Sequence, residues 1–216
     1  MGADVDIHVV DRTNRHLYAE LLDENFRLRA EIFIDELGWK ALRASNGRER
    51  DQFDTDDATY YFAVENGRLV GSIRRHCSLA PTLLSDVFSH LAPHGFRREA
   101  EVYESTRQYI VRAYREEHPC RVAGYLQRAL WAHSFEQGGT AINFVTWAWY
   151  VPLLTRSGLR PKPLGLPTRH DDMDLIAVTC PTNTDVLDAL TAFYDLEPTP
   201  FLREGLTAPA RVAEAA

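Results

Sequence analysis

Three short stretches hold the residues whose types and spacing could do chemistry. GRERDQFDTDDATYYF, Gly47 to Phe62, sets acids at 49, 51, 54, 56 and 57 just ahead of an aromatic run. Carboxylates at that density suit a solvated loop, a cation site, or a pocket that reads a charged small molecule. A calcium loop is disfavoured, because Asp51, Asp54 and Asp56 miss the alternate-residue ligand spacing and the glycine and bidentate acid of such a loop are absent. Glu49, Asp56 and Asp57 are expected to face solvent. FRLRAEIFIDELGWK, Phe26 to Lys40, brings Arg29, Phe33 and Trp39 to the end of an amphipathic segment. By spacing alone these read as core aromatics beside a surface arginine. EVYESTR, Glu101 to Arg107, puts Glu104 and Arg107 three apart, on opposite sides of a regular strand. A bulge between them would bring both into one cleft, and bulges are frequent beside active sites. Without one, the pair reads as a structural ion pair.

Other chemistries lack their motifs. RHDDMD, Arg169 to Asp174, reads as a charged turn before a strand rather than a metal site. The eight histidines form no HExxH, and neither GxxxxGK, GxGxxG nor GxSxG occurs. Gly138-Gly139 closes a helix instead of opening one, the wrong end for anion capture. Cys77, Cys120 and Cys180 have no metal or redox spacing.

The elements that must position these residues can be read from periodicity. Val5 to Val10 is a first strand, and Leu17 to Leu37 has helical spacing, with Gly38 as its stop signal. Residues 40 to 57 show no clear period and read as a long loop, a class often functional. Ala58 to Val64 and Leu69 to His76 are strands joined at Asn66-Gly67, where positive φ is tolerated and a hairpin is expected. A short helix over Thr82 to Leu91 precedes the Glu101 to Val111 strand. Then follow a helix over Ala123 to Gln137, a strand over Ala141 to Trp147, a helix over Trp149 to Arg156, a strand over Asp174 to Thr179 and a helix over Asp185 to Leu196. Hairpin pairing and crossover helices in one chain predict an α/β fold with a single mixed, twisted sheet flanked by helices. One domain over residues 1–200 is expected, with residues 201–216 a weakly ordered tail.

With 216 residues, 45% hydrophobic and 25% charged, the chain can bury a sizeable core. A net charge of −7 argues against bulk nucleic-acid binding and a polybasic membrane patch. No apolar run approaches the ~18 residues of a membrane span, and the scattered cysteines suit a reducing compartment. A cytoplasmic protein is expected.

Taken together, the pieces resemble the acyl-homoserine-lactone synthases, the LuxI-type autoinducer synthases. That family has an arginine, a phenylalanine four later and a tryptophan six after that, here Arg29, Phe33 and Trp39. Its D-x-x-D block matches Asp51 and Asp54 in DQFD, its glycine-led strand arginine matches Arg74 in GSIR, and its E-x-x-R block matches Glu104 and Arg107 in ESTR. The series runs in order over roughly residues 5 to 180.

The resemblance implies a fold similar to the N-acetyltransferases, a twisted sheet with a V-shaped cleft. It also implies acylation of the amine of S-adenosylmethionine from a thioester, then lactonisation with release of methylthioadenosine. Asp51 and Asp54 would attract the cationic groups or hold the arginines that organise the pocket. Arg29, Arg74 and Arg107 would pair with the ligand carboxylate or with those acids. Phe33 and Trp39 would offer ring faces to the sulfonium or adenine. Glu104, directly or through water, would be the base. No metal and no prosthetic group are expected; S-adenosylmethionine and the thioester are substrates.

TWAWYVPLLTRSGLRPKPLGLP, Thr146 to Pro167, looks like the subgroup that uses coenzyme A thioesters of aromatic or branched acids. Thr146, Trp147, Trp149 and Tyr150 would line the acyl pocket, the rings shortening it; the alternative is that they are only core. If the donor were instead acyl carrier protein, a basic face would be needed, from Arg112, Arg115, Arg121 and Arg128 or from Arg156, Arg160 and Lys162. An ordinary N-acetyltransferase of the same fold is a rival, but VRAYREEHPCRVAG lacks its R/Q-x-x-G-x-G/A loop. A non-catalytic relative of the synthases is a second rival.

Overall fold

The computed structural model describes residues 5–116 and 118–197 and the backbone of Phe201 and Leu202. The strands and helices follow in the order β1 (Asp6–Val10), α1 (Ala19–Arg29), β2 (Ala44–Ser45), β3 (Arg48–Glu49), β4 (Thr59–Glu65), β5 (Arg68–Cys77), α2 (Leu83–Asp86), β6 (Val102–Ile110), α3 (Arg121–Glu136), β7 (Ala141–Trp147), α4 (Val151–Arg156), β8 (Lys162–Pro163), β9 (Thr168–His170), β10 (Met173–Pro181), α5 (Thr184–Tyr194) and β11 (Phe201–Leu202). The class is mixed α/β, as the element pattern predicts. The chain packs as two compact units, Met1–Arg74 with Arg107–Leu126 and Pro198–Ala216, and Arg75–Thr106 with Gln127–Glu197.

In the first unit the strand order is β11-β1-β4-β5. β1 runs antiparallel to β4, with Ile7 opposite Ala63 and Val9 opposite Tyr61. β4 is buried along nearly its whole length, so it reads as a continuous apolar run rather than an alternating one. The Asn66-Gly67 turn into β5 has both residues at positive φ, 50° and 76°. Tyr60 and Phe62 pack with Tyr18, Leu21, Leu22 and Phe26 of the N-terminal helical segment, each ring contributing about 1.5–3 kcal/mol of burial. Phe201 and Leu202, the first residues of the expected loose tail, pair with β1 as a short parallel strand; residues 203–216 lie outside the described residues.

The structure corrects two local readings here. The 40–57 stretch is not featureless: β2 and β3 form a small hairpin turning on Asn46-Gly47, at φ 51° and 71°. The predicted helix over 17–37 is α1 followed by a wider π-helical turn, Ala30–Glu36. Gly38 ends it at φ +66°, a left-handed conformation that costs glycine nothing.

In the second unit the order is β5-β6-β7-β10, with β8 and β9 both pairing β10. These two short strands fall in the Thr146 to Pro167 stretch and the RHDDMD segment, where no strand is predicted. β6 and β7 are parallel, and α3 makes the crossover between them. Their ladder has three rungs: Val102 to Ala141, Tyr103 to Ile142, and Glu104 to Asn143. Past the last rung both strands continue, β6 to Ile110 and β7 to Trp147, while β7 stays paired to β10 as far as Trp147 opposite Leu175. The parallel pair therefore opens at Glu104 and Asn143.

Candidate active site

Within the first unit, six charged side chains from four places in the chain meet with almost no exposure. Arg29, at the end of α1, donates from Nε to Glu49 Oε2 at 2.6 Å and from its two terminal nitrogens to Asp54 at 2.7 and 2.9 Å. Arg74, on β5, donates to both oxygens of Asp51 at 2.7 and 2.9 Å and to Asp54 Oδ1 at 2.6 Å. Arg107, on β6, reaches Glu49 at 3.1 Å and Asp51 at 2.8 Å. Three guanidiniums thus face three carboxylates in bidentate and bridging bonds, the strong form of the interaction. The Tyr60 hydroxyl adds a bond to Asp54 at 2.8 Å.

The sequence missed one member. Glu49, expected in solvent, is 1% exposed and sits between Arg29 and Arg107. The physical reason is β3: the strand turns Arg48 out towards Asp23 and Glu49 inward. The Asn46-Gly47 dipeptide was the available signal, since a two-residue turn fixes which neighbours face in. Asp56 and Asp57 are exposed as expected, Asp56 paired with Arg15 at 2.5 Å. Arg29, the surface arginine of the plainer reading, is 1% exposed.

Local backbone explains how the rings and Arg107 are set. Six residues apart on a regular helix, Phe33 and Trp39 would point away from each other. The π-helical turn and the reversal at Gly38 bring them together instead, stacked at 4.8 Å and 15°. Tyr109 meets Phe33 edge-on at 6.1 Å, and the Arg107 guanidinium lies 5.9 Å from the Phe33 centroid. Arg107 itself has φ +54° inside β6, a departure from regular strand geometry at the second residue of the Glu104–Arg107 pair. A non-glycine residue held there stores about 1–3 kcal/mol, characteristic of functional sites.

Burial pulls the Asp54 carboxyl upward, but Arg29 and Arg74 outweigh it and hold it well below the usual carboxylate range. Asp51 is likewise lowered, with burial opposed by Arg74 and Arg107. A depressed folded-state pKa adds stability that is fully present above the unfolded value and lost as pH falls through the folded one. The unfolded value is about 3.9. The urea midpoint should therefore hold steady down to about pH 5 and decline below about pH 4; a midpoint that stays level there would show that these acids are not held ionised.

In the second unit, Glu104 is 1% exposed and both its oxygens accept from the Leu84 backbone N–H, at 3.1 and 3.2 Å. That N–H is aimed by a reciprocal cap on α2, in which Thr82 Oγ1 accepts from Ser85 N and Ser85 Oγ accepts from Thr82 N. On β7, alternation places Asn143, Val145 and Trp147 on one face and Thr146 on the other, so the structure divides the four residues expected at the acyl pocket. Trp147 stacks on Trp149 at 5.3 Å and 12°, and Trp149 meets Tyr150 edge-on at 5.6 Å. With Trp149 62% exposed, the alternative in which these rings are only core does not hold for it. Among the candidate basic docking residues, Arg115 pairs with Glu36, Arg128 with Thr191 and Arg160 with Asp185. Among the described residues no helix is long and apolar enough to cross a membrane, and no group of three or more His, Cys, Asp or Glu could hold a metal.

A mixed sheet whose parallel pair opens part-way along places the chain in the N-acetyltransferase-like fold class. Solved structures agree on the fold: Escherichia coli ElaA superposes with a TM-score of 0.58 at 13% identity over 82% of this chain and 99% of its own. The chain belongs to the autoinducer synthase family, whose model matches residues 13–190, and it is an acyl-homoserine-lactone synthase. It is 33% identical over 185 residues to isovaleryl-homoserine lactone synthase of Bradyrhizobium diazoefficiens, covering 85% of this chain and 83% of that one. An acyl-homoserine-lactone synthase of Ralstonia solanacearum is 33% identical over 63% of this chain and 70% of its own. The structure of the coenzyme A-dependent synthase BjaI with S-adenosylmethionine and isopentyl-CoA matches with a TM-score of 0.86, at 30% identity over 94% of this chain and 96% of that one. Membership sets aside the general N-acetyltransferase reading.

Proposed function

We propose that this synthase acylates S-adenosylmethionine from the coenzyme A thioester of a short, branched or aromatic acid, with Glu104 as the base. The observation that carries the proposal is the position of Glu104, a buried carboxylate on the last rung before β6 and β7 part. Likeness to an isovaleryl-homoserine lactone synthase and to a coenzyme A-dependent enzyme supports the donor.

Glu104 takes a proton from the α-ammonium, whose pKa of about 7.7–8.0 makes this a modest task. The freed amine attacks the thioester carbonyl; the tetrahedral adduct passes its surplus N–H proton to the departing sulfur, the carbon–sulfur bond breaks, and coenzyme A leaves as the neutral thiol beside the new amide. The substrate carboxylate then displaces the sulfonium from its own chain, breaking that carbon–sulfur bond and releasing methylthioadenosine; orientation is the main aid to this step. Arg29, Arg74 and Arg107, held by Glu49, Asp51 and Asp54, form a charge-balanced wall that orients the S-adenosylmethionine carboxylate. Phe33 and Trp39 supply the ring faces.

The test is incubation with S-adenosylmethionine and a panel of acyl-coenzyme A and acyl-carrier-protein thioesters, read by mass spectrometry. Branched or aromatic coenzyme A donors should give acyl-homoserine lactone and methylthioadenosine. Turnover with carrier-bound donors alone would overturn the donor assignment, and no methylthioadenosine with any donor would overturn the reaction. In the same panel Trp149→Ala should shift kcat/KM towards longer acyl chains by about tenfold, the worth of a methylene or two in an apolar pocket. An unchanged profile would remove Trp149 from that pocket.

A further inference from the structure

Asn143 lies in the middle of β7 among mostly apolar residues, 1% exposed. Its Nδ2 donates to the Arg97 carbonyl at 3.2 Å, which fixes the amide orientation, because the opposite flip would set two oxygens face to face. The Oδ1 atom is then a buried acceptor with no protein partner among the described residues. Buried acceptors are almost always satisfied, and leaving one bare is costly. Asn143 is also the residue in register with Glu104 on the last rung of the parallel ladder. Neighbouring strands lie about 4.8 Å apart, so paired side chains on one face stand within reach of a common small group.

Among the described residues, none donates a hydrogen bond to Oδ1. β10 presents Thr179 in register with Asn143, α2 gives its Leu84 N–H to Glu104, and the Arg97 guanidinium is turned away to Glu99.

We infer that Asn143 Oδ1 accepts a hydrogen bond from the substrate amine while Glu104 takes its proton. The inference rests on Glu104 being the base. An α-ammonium has three N–H bonds. One proton passes to Glu104, and the resulting lone pair attacks the thioester. A second N–H held by Asn143 fixes the direction in which that lone pair points, which is where orientation contributes most to rate. The carboxylate and the amide oxygen thus form a two-point grip that suits a primary amine. Asn143 acts on the acylation step and leaves recognition of the acyl chain to other residues.

Asn143→Leu keeps the size and removes the acceptor. At saturating S-adenosylmethionine and acyl-coenzyme A it should lower kcat by about ten- to a hundredfold, the worth of a buried hydrogen bond to a charged or developing charge, with KM for the acyl donor little changed. Asn143→Asp keeps an acceptor of the same shape but sets a second carboxylate beside Glu104. It should be faster than the leucine variant near neutrality, and its acidic limb of kcat should move to higher pH, since like charge opposes ionisation of Glu104. The aspartate variant also serves if the leucine variant does not fold. Wild-type kcat in a folded leucine variant, or an acidic limb at the wild-type position in the aspartate variant, would overturn the inference. Glu104→Gln separates the two levels. If it is slow while the Asn143 variants behave as wild type, only the role of Asn143 falls; if it turns over at the wild-type rate, the base assignment falls and this inference with it.

Discussion

Glu104→Gln is expected to slow turnover by about 100- to 10,000-fold, the usual worth of a positioned general base, while S-adenosylmethionine binding stays close to wild type. The glutamine keeps the shape of the side chain, and its amide oxygen can still accept from Leu84 N–H, so the α2 cap and the packing around it survive. What it loses is the ability to take a proton. Pre-steady-state methylthioadenosine release would measure the rate, and calorimetric titration with S-adenosylmethionine the binding. Equal turnover by mutant and wild type would remove Glu104 as base. A fall in binding as large as the fall in rate would make it a ligand-holding group instead.

Glu49→Ala is expected to cost about 3–5 kcal/mol, because removing one member of a buried ion cluster leaves its partners desolvated and unbalanced. Arg29 would keep Asp54 and Arg107 would keep Asp51, but three guanidiniums would then face two carboxylates in a site with almost no exposure. Against a total stability of roughly 5–15 kcal/mol this is a severe loss. Asp56→Ala, only a few residues along, breaks an exposed pair with Arg15 and should leave the unfolding midpoint nearly unchanged. Parallel urea titrations with m-values compared would decide it. Similar midpoints for the two mutants would mean that Glu49 is not integral to the cluster. The loss should also weaken S-adenosylmethionine binding, since Arg107 is proposed to orient the ligand and Glu49 holds it.

Much of this was legible beforehand because the long elements announce themselves. β1, β4, β5, β6, β7 and β10 fall within a few residues of the runs read from apolar patterning, and Asn66-Gly67 gave the main hairpin. The charged residues singled out by the family pattern do meet: Arg29, Asp51, Asp54, Arg74 and Arg107 form one cluster. What sequence could not carry was the inward or outward sense of residues in short elements. β3 is two residues long, too brief for a period to show, and so Glu49 read as one more solvated acid. The π-helical turn after Arg29 has no propensity signature, yet together with the reversal at Gly38 it stacks Trp39 on Phe33. Asn143 had a signal that went unused: it is the one amide in the mostly apolar run AINFVTW.

The alternation Arg48, Glu49, Arg50 on the β2–β3 hairpin also bears on how the chain finds its native state. A slip of one residue in that hairpin would withdraw Glu49 and present Arg48 or Arg50 to Arg29 and Arg107. Like charges would then be forced together in a dry interior, so the wrong alignment carries its own penalty. The two basic neighbours of Glu49 make no contribution to the cluster in the folded protein, yet they guard against its misassembly. Exchanging either for a small neutral residue should leave the buried cluster itself intact, at the loss of the Arg48–Asp23 bonds or the Arg50–Phe26 contact, while making a misaligned hairpin less costly during folding.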